Sequence, residues 1–391
     1  SSSNGLEKRP KLRFPGFDEP YRTTLLGEIA SLVNRTDPKS NAPIMMLSAG
    51  NGFIMQSEKY SRDNAGQSLK KYILLKQGEL AYNHGASKVK QFGCCYELTE
   101  PEARIPYVYH CFKINEDEYT PYVAMALNNA KMDQQLKRLV SSSVRMDGLL
   151  NISFEDYMSV TLHLPSFIEQ KHIADFLTKL DERIAYQERL ITSLKKYKRG
   201  VMQHIFHRTT TQSVKAWTCV RLGDIFKKVS RRNTDGLVKN VITNSAEYGL
   251  IPQRDFFDKD IAVDGNTTNY YVIEKGDFVY NPRKSNTAPY GPFNRYTLDE
   301  KGIISPLYTC LVLKADIYPS YLAWYFKSDA WHRYIYDNGS QGVRHDRVSM
   351  TDDLLMGIPV IFPDQAKQQE YADILDKIEA RMQAAQKVYD L

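Results

Sequence analysis

The sequence lacks the motifs by which many enzymes are recognised. It contains no GxGxxG, no GxxxxGK[ST] and no HExxH, patterns typical of dinucleotide binding, of phosphate-binding loops and of zinc proteases. Asn281-Pro282-Arg283 lacks the second proline and the aromatic residue of the Asn/Asp-Pro-Pro-Tyr/Phe motif with which amino-methyltransferases hold a flipped base. We therefore expect a chain that has no catalytic residues and no cofactor of its own.

Cysteine is scarce, and long apolar runs are absent. The five cysteines form no CxxC pair, which argues against a disulfide framework and a zinc site. His204 and His207 have no nearby cysteine or acidic partner, so we expect no metal there. No apolar run approaches the roughly 20 residues that span a bilayer. A cytoplasmic protein without a membrane partner is expected; the opening SSSNG is interpreted as a cloning remnant without targeting information.

Positive charge is present but not dominant. The net charge of +6 over 391 residues does not by itself predict nucleic-acid binding, so any basic surface must be local. We interpret Asp258-Lys259-Asp260 as a surface charge cluster rather than a nuclease centre. A chain of this length is expected to hold two or three domains, each with its own core.

Two segments carry the same helical pattern. The first lies at 164–199 and the second starts at Phe362, and several residues match at a constant shift. In the first, apolar residues recur in alternating steps of four and three from 173 to 205, with only Gln187 and Lys198 polar. Such a period of 3.5 residues predicts an apolar seam that is buried against another helix.

The second pattern keeps this rhythm but is shorter. Its seam positions are Tyr371, Leu375, Ile378, Met382, Ala385 and Tyr389. Ser166 and Glu169 predict a capping box at the start of the first helix, and Asp364 predicts a cap on the second.

The repeat extends into the blocks between the helices. Gly78-Glu79-Leu80-Ala81-Tyr82-Asn83 returns as Gly276-Asp277-Phe278-Val279-Tyr280-Asn281, with a tight turn expected at each glycine. Similarity is high at the helix starts and low within the blocks, which suggests one scaffold that carries two different recognition surfaces. Strands are predicted at 45–48, 72–75, 79–82, 108–112, 270–273, 277–280 and 307–313, and short helices at 121–139 and 320–336.

A polar, basic loop follows each repeated Tyr-Asn. Arginine and lysine can donate to guanine, asparagine and glutamine can pair with adenine, and all of them can contact phosphates. A second pair of loops, at 141–145 and 339–347, offers glycine and arginine for phosphate contact. The candidate DNA-binding residues are Asn83, Ser87, Lys88, Lys90, Gln91, Arg145, Asn281, Arg283, Lys284, Ser285, Asn286, Arg344 and Arg347. The abundant aromatic residues fall on expected strand faces, where packing in the core is expected instead.

Four segments resemble the specificity subunits of type I restriction–modification systems. They are the opening at 10–17, the helix start at 164–184, the continuation at 194–203 and the strand motif at 304–308. The resemblance covers nearly the whole chain. The loops vary widely within that family, so the DNA sequence that is recognised does not carry over.

The resemblance implies an α+β fold with an internal pseudo-two-fold repeat. Two mixed α/β target-recognition domains, at 14–163 and 214–362, would be joined by two long helices, at 164–207 and 363–391, which form an antiparallel coiled coil. The partners would be double-stranded DNA, two methyltransferase subunits and restriction subunits. Three alternatives remain open: the specificity module of a related restriction enzyme, an enzyme (a fused restriction–methylation polypeptide or a lone nuclease), and a helical protein–protein scaffold without DNA binding.

Overall fold

The chain forms two compact units in a computed structural model. The structure describes residues 12–59, 66–140, 150–206, 217–255, 267–339 and 346–390. The units are Ser1–Arg183 and Ile184–Leu391, so the boundary falls inside a long helix. No helix in the described ranges has the length and apolar character that crossing a membrane requires.

The described residues of the first unit form ten short strands. They are β1 Arg22–Leu25, β2 Ala30–Leu32, β3 Met45–Ser48, β4 Gly52–Met55, β5 Ile73–Lys76, β6 Leu80–Asn83, β7 Cys94–Glu97, β8 Glu102–Ile105, β9 His110–Ile114 and β10 Thr161–Leu164. A four-stranded sheet has the order β2-β9-β6-β7, and three two-stranded sheets pair β1 with β10, β3 with β4 and β5 with β8. Neighbouring strands are antiparallel throughout.

The second unit repeats this arrangement strand for strand. Its strands are β11 Thr218–Arg221, β12 Phe226–Val229, β13 Ile242–Ser245, β14 Gly249–Pro252, β15 Tyr271–Ile273, β16 Phe278–Tyr280, β17 Phe293–Arg295, β18 Gly302–Ile304, β19 Thr309–Leu313 and β20 Pro359–Phe362. The four-stranded sheet has the order β12-β19-β16-β17, and the pairs are β11 with β20, β13 with β14 and β15 with β18. The duplication predicted from the sequence is therefore present in the fold.

The helices are mostly short, with two long exceptions. They are α1 Leu26–Ile29, α2 Gln56–Lys59, α3 Thr120–Ala126, α4 Ala130–Leu139, α5 Phe154–Met158, α6 Phe167–Phe206, α7 Leu222–Ile225, α8 Pro319–Lys327, α9 His332–Asn338, α10 Asp352–Met356 and α11 Gln365–Tyr389. The long helices α6 and α11 lie where the apolar seams predicted them.

The four-stranded sheet of each unit is buried on both faces. On β6, Tyr82 packs in one apolar cluster and Ala81 in another. On β16, Tyr280 and Val279 are divided in the same way. Because successive side chains of a strand point to opposite faces, these central strands are continuously apolar.

The seven predicted strands are confirmed, each within two residues of its expected ends. Both predicted short helices are broken in the middle. Asn129 caps α4 by accepting a hydrogen bond from the N–H of Met132 at 2.9 Å. The hydroxyl of Ser328 donates to the carbonyl of Tyr325 at 2.6 Å where α8 ends. Asparagine and serine favour such local bonds over continued helix, a signal that the helical pattern alone does not show.

A buried glutamine anchors the start of each long helix. Gln170 and Gln368 each donate to the proline carbonyl five residues earlier, at 3.0 and 2.8 Å. Each also accepts a hydrogen bond from a tyrosine backbone N–H, that of Tyr119 at 2.9 Å or that of Tyr318 at 2.8 Å. The glutamines are 1% and 3% exposed, so these bonds satisfy groups that water cannot reach.

The capping box predicted for α6 forms only in part. The N–H of Glu169 donates to the hydroxyl of Ser166 at 3.4 Å. The Glu169 carboxylate, which is fully buried, is bound instead by the Arg13 guanidinium through two bonds of 2.7 Å. The predicted cap of α11 is confirmed, since Asp364 accepts from the N–H of Lys367 at 3.0 Å.

Two side-chain contacts join α6 and α11 inside the second unit. The ammonium of Lys198 donates to the Glu379 carboxylate at 2.8 Å, and the hydroxyl of Tyr389 donates to Glu188 at 2.7 Å. Since position 198 contacts 379 and position 188 contacts 389, the helices run antiparallel here.

The apolar seam of α6 is covered over only part of its length. Ile191 and Ile205 are buried, but Leu177, Leu180 and Ile184 are 38%, 44% and 42% exposed. Burial of the whole seam was therefore a wrong prediction. The exposed positions precede residue 188, whose side chain accepts the hydrogen bond from Tyr389.

Candidate nucleic-acid interface

The two loops that follow the repeated Tyr-Asn have the same closure. We call residues 83–93 the first loop and residues 281–291 the second loop. The hydroxyl of Tyr82 donates to the carbonyl of Phe92 at 2.6 Å, and that of Tyr280 donates to Tyr290 at 2.7 Å. Both tyrosines are buried, with 1% exposure, which confirms their expected place in the core.

Each loop ends on a glycine that no other residue could replace without rearrangement. Gly93 and Gly291 have φ angles of +83° and +85°. A β-carbon would lie 2.4 Å from the carbonyl oxygen of Asn83 at the first position and 2.1 Å from that of Asn281 at the second. The backbone at both ends of each loop is therefore held in close contact.

Gly291→Ala is expected to destabilise the second unit more than Gly276→Ala. Both glycines have positive φ, but a β-carbon at Gly276 meets nothing within 4 Å, so only backbone strain of about 1–3 kcal/mol applies there. At Gly291 the clash adds to that strain, and we expect about 2 kcal/mol or more beyond the control. Urea unfolding that finds equal free-energy losses would contradict this account of the loop.

Both loops narrow to a two-residue tip. The N–H of Ser87 donates to the carbonyl of Lys90 at 2.9 Å, and that of Ser285 donates to Ala288 at 3.0 Å. In return, the serine hydroxyls accept from the N–H groups of Lys90 and Ala288, at 2.9 and 3.1 Å. These matched bonds fix the same backbone frame in both loops.

The tips themselves differ in chemistry. The first tip is Lys88-Val89 and the second is Asn286-Thr287, and all four side chains are exposed. Val89 is 74% exposed. The duplicated scaffold therefore presents unlike side chains at equivalent points.

The second loop is brought together with the segment that follows residue 345. Arg283 and Arg347 face each other in an antiparallel bridge, and the N–H of Lys284 donates to the carbonyl of Asp346 at 2.9 Å. The sequence proposed both segments as DNA-binding loops but could not show that they are neighbours.

In the first unit, the N–H of Leu150 donates to the carbonyl of His84 at 2.9 Å, as the N–H of Val348 does to the carbonyl of Pro282 at 2.8 Å in the second unit. The candidate residues Arg145 and Arg344 lie outside the described residues. So do His207 and the cluster Asp258-Lys259-Asp260.

Two arginines, Arg283 and Arg347, lie near enough to Tyr308 to affect its ionisation. Burial raises the pKa of the Tyr308 hydroxyl, while Arg283 and Arg347 oppose the rise because they favour the phenolate. Arg347 also lies 3.8 Å from the carboxylate of Asp346. Arg283 and Lys284 are exposed and thus open to an anionic ligand.

Three candidate residues hold the loops in their present shape. The side-chain oxygens of Asn83 and Asn281 accept from the N–H groups two residues ahead, at 2.9 and 3.0 Å, and Asn281 is only 6% exposed. The ammonium of Lys90 donates to the carbonyl of Asn128 at 2.9 Å. The other described candidates in the loops are exposed: Ser87, Lys88, Gln91, Arg283, Lys284, Ser285 and Asn286.

An aromatic cluster supports the first loop. The Tyr82 and Tyr157 rings stack at 3.9 Å, and the His84 and His110 rings lie 5.0 Å apart. Burial lowers the pKa of His110, which bonds the carbonyl of Ile152 through Nε2 at 2.9 Å. This cluster could not be predicted from the sequence, because its members come from two strands, a loop and a helix that are distant along the chain.

Comparison with known proteins extends this description to the whole fold. No family model and no curated protein matches the sequence. The solved structure of the type I restriction–modification S subunit from M. genitalium matches with a TM-score of 0.53 at 14% identity, over 97% of this chain and 96% of that one. The HsdS subunit from Thermoanaerobacter tengcongensis matches with a TM-score of 0.45 at 16% identity, over 98% and 94% of the two chains.

A further chain, from a structure of a type I R-M system, matches with a TM-score of 0.44 at 17% identity, over 97% of this chain and 94% of that one. The M. genitalium match carries the comparison, since its TM-score is 0.53 and it covers 97% of this chain. The α+β part of the expected fold is thus confirmed, and the chain has the fold of a type I restriction–modification specificity subunit.

Proposed function

We propose that this chain is a non-catalytic DNA-recognition subunit. It reads a bipartite, asymmetric site through the major groove and docks the methyltransferase and restriction subunits of a type I restriction–modification complex. The chain itself holds no cofactor, and S-adenosylmethionine belongs to the methyltransferase partners.

One observation carries the proposal: two equivalent loops share a frame but present different side chains. Phe92 and Tyr290 accept the same closing bond, while the tips are Lys88-Val89 and Asn286-Thr287. A scaffold that bound one ligand twice would be expected to keep the contacting residues alike. Unlike tips on like frames suit two different half-sites of one DNA duplex.

The chemistry of the loops fits DNA. Lysine and arginine bind phosphates or guanine, and asparagine pairs with adenine. The exposed Lys88, Arg283 and Lys284 supply charge locally, which agrees with the modest net charge of +6.

The long helices would set the distance between the half-sites. The 40 residues of α6 extend about 60 Å at the helical rise of 1.5 Å per residue. In the proposal, α6 and α11 form an antiparallel coiled coil between recognition domains at 14–163 and 214–362. The contacts of Lys198 with Glu379 and of Glu188 with Tyr389 support that pairing.

DNA binding is tested by a gel shift at several salt concentrations, with the chain alone and with its methyltransferase partner. Each phosphate neutralised should steepen the dependence of log K on log salt by about 0.9. Absence of binding in both arms would favour a protein–protein scaffold. The purified chain with DNA, Mg²⁺ and S-adenosylmethionine should neither cut nor methylate, whereas activity would favour an enzyme.

Replacing both Arg283 and Lys284 with alanine should weaken recognition of the second half-site and leave the first unchanged. The reason is that these cations lie on the second loop only, and loss of one good base contact costs about 1–3 kcal/mol. The measurement is a map of methylated sites made with the reconstituted complex.

A matched control removes two exposed cations from the same unit. Lys275 and Lys301 form surface ion pairs with Asp299 and Glu274, and Lys275 precedes β16, whereas the second loop follows it. The Lys275→Ala/Lys301→Ala variant should retain the wild-type map. A uniform loss over all sequences in the Arg283/Lys284 variant would mean phosphate contact without base reading.

A further inference from the structure

We propose that the two-residue tips, Lys88-Val89 and Asn286-Thr287, are the base-reading elements of the two half-sites. This inference rests on the proposed function and makes it more specific. It adds the four tip side chains to the candidate base contacts of Arg283 and Lys284 on the second loop.

The shared frame excludes most other loop positions. A residue that does the same structural work in both loops cannot account for different half-sites. This applies to Asn83 and Asn281, to Ser87 and Ser285, and to the glycines that close the loops. Only the unlike and exposed positions can carry a difference in specificity.

Two other unlike positions in the first loop, His84 and Lys90, are already engaged. His84 is 7% exposed, and its carbonyl accepts from Leu150 at 2.9 Å. The ammonium of Lys90 is bound to the carbonyl of Asn128 at 2.9 Å. Lys88 and Val89 remain as the projecting pair between the two hydrogen-bonded residues at 87 and 90.

Val89 is the most informative member of the first tip. Its side chain is 74% exposed at the end of a polar loop, where it adds nothing to the apolar core. In the major groove, apolar side chains contact the thymine methyl group. The geometry therefore points to a thymine in the first half-site, flanked by a guanine or a phosphate contacted by Lys88.

The second tip has a different preference. Asn286 can donate to N7 and accept from N6 of adenine with one amide group, and Thr287 offers a hydroxyl and a methyl group. The α-carbons of two successive residues lie about 3.8 Å apart, close to the rise of about 3.4 Å between successive base pairs. Each tip should therefore determine one or two adjacent positions.

The first experiment transplants one tip onto the other frame. Lys88→Asn/Val89→Thr is placed in the full complex with its methyltransferase subunits, and methylated sites are mapped by single-molecule sequencing. We expect one or two adjacent positions of the first half-site to change toward those of the second, with the second half-site and the spacer unchanged. An unaltered first half-site would overturn the inference while leaving the proposed function intact.

The second experiment removes the proposed contact between Val89 and thymine, first by changing the protein and then by changing the DNA. Val89→Ala should weaken binding to the wild-type site roughly tenfold, since about two methyl groups are lost. Deoxyuridine in place of the contacted thymine should cause a comparable loss, and the combination should cause little more. Additive losses, or a first half-site without thymine, would contradict the assignment.

Failure of the proposed function and failure of the tip assignment give different results. If the wild-type complex binds no DNA and methylates no site, the proposed function fails, and the tips with it. If the wild-type complex reads a bipartite site and neither variant alters it, only the inference fails. Should the double variant not assemble, the Val89→Ala and deoxyuridine arms decide.

Discussion

Matched insertions of four residues into α6 and α11 are expected to lengthen the DNA spacer by one or two base pairs. Four helical residues add about 6 Å, and the rise of the duplex is about 3.4 Å per base pair. The insertions belong between residues 188 and 198 of α6 and between 379 and 389 of α11, because both flanking contacts can then re-form. A methylated-site map of the variant gives the new spacer directly.

The control places the four residues in α11 alone. Lys198 could then pair with Glu379, but Glu188 would no longer lie opposite Tyr389, while α6 keeps its length. We expect an unchanged spacer with weaker methylation. If the matched insertions also leave the spacer unchanged, the helices do not set the distance between half-sites.

Gln368→Leu should lower the free energy of unfolding of the second unit by about 2–5 kcal/mol. Leucine can fill the space but leaves the N–H of Tyr318 and the carbonyl of Pro363 without the partners that bond them at 2.8 Å. Each unsatisfied buried backbone group costs about 1–3 kcal/mol. Tryptophan fluorescence in urea is a suitable probe, because the three tryptophans all lie in the second unit, at 217, 324 and 331.

Two control variants distinguish the loss of the buried Gln368 hydrogen bonds from a general effect of replacing glutamine with leucine. Gln365→Leu alters an exposed glutamine in the same helix turn and should change the free energy by less than about 0.5 kcal/mol. Gln170→Leu removes the equivalent anchor in the first unit and should leave the tryptophan transition in place. Equal losses for Gln365→Leu and Gln368→Leu would show that the buried bonds do not stabilise the helix start.

The duplication was readable from the sequence because its most constrained residues recur. The Tyr-Asn pairs at 82–83 and 280–281 serve the closure of both loops, and the two glutamines bond the same backbone groups. Where one side chain satisfies several buried partners, few substitutions are tolerated. Such positions retain similarity while the surrounding loops diverge.

Contacts between segments that are distant along the chain could not be predicted from the sequence. Arg13 binds Glu169 across 156 positions, and this pairing replaced half of the expected capping box. Arg283 meets Arg347 only because the chain returns to the second loop after α9. Local pattern carries no information on such pairs, since their separation is fixed by the packing of whole strands.

For the apolar seam of α6, the sequence predicted more burial than the structure shows. Its 3.5-residue period predicted burial along the whole helix, yet Leu177 and Leu180 are exposed. A period indicates which face of a helix is apolar and suits a partner helix. It does not specify where along that face the partner lies.

Single-molecule sequencing of DNA methylated by the wild-type complex tests the central claim most directly. If two recognition domains with different exposed side chains are held at a fixed separation, the methylated motif must consist of two different half-sites. The number of unspecified bases between them must be constant. One uninterrupted motif, two identical half-sites or a variable gap would contradict that requirement.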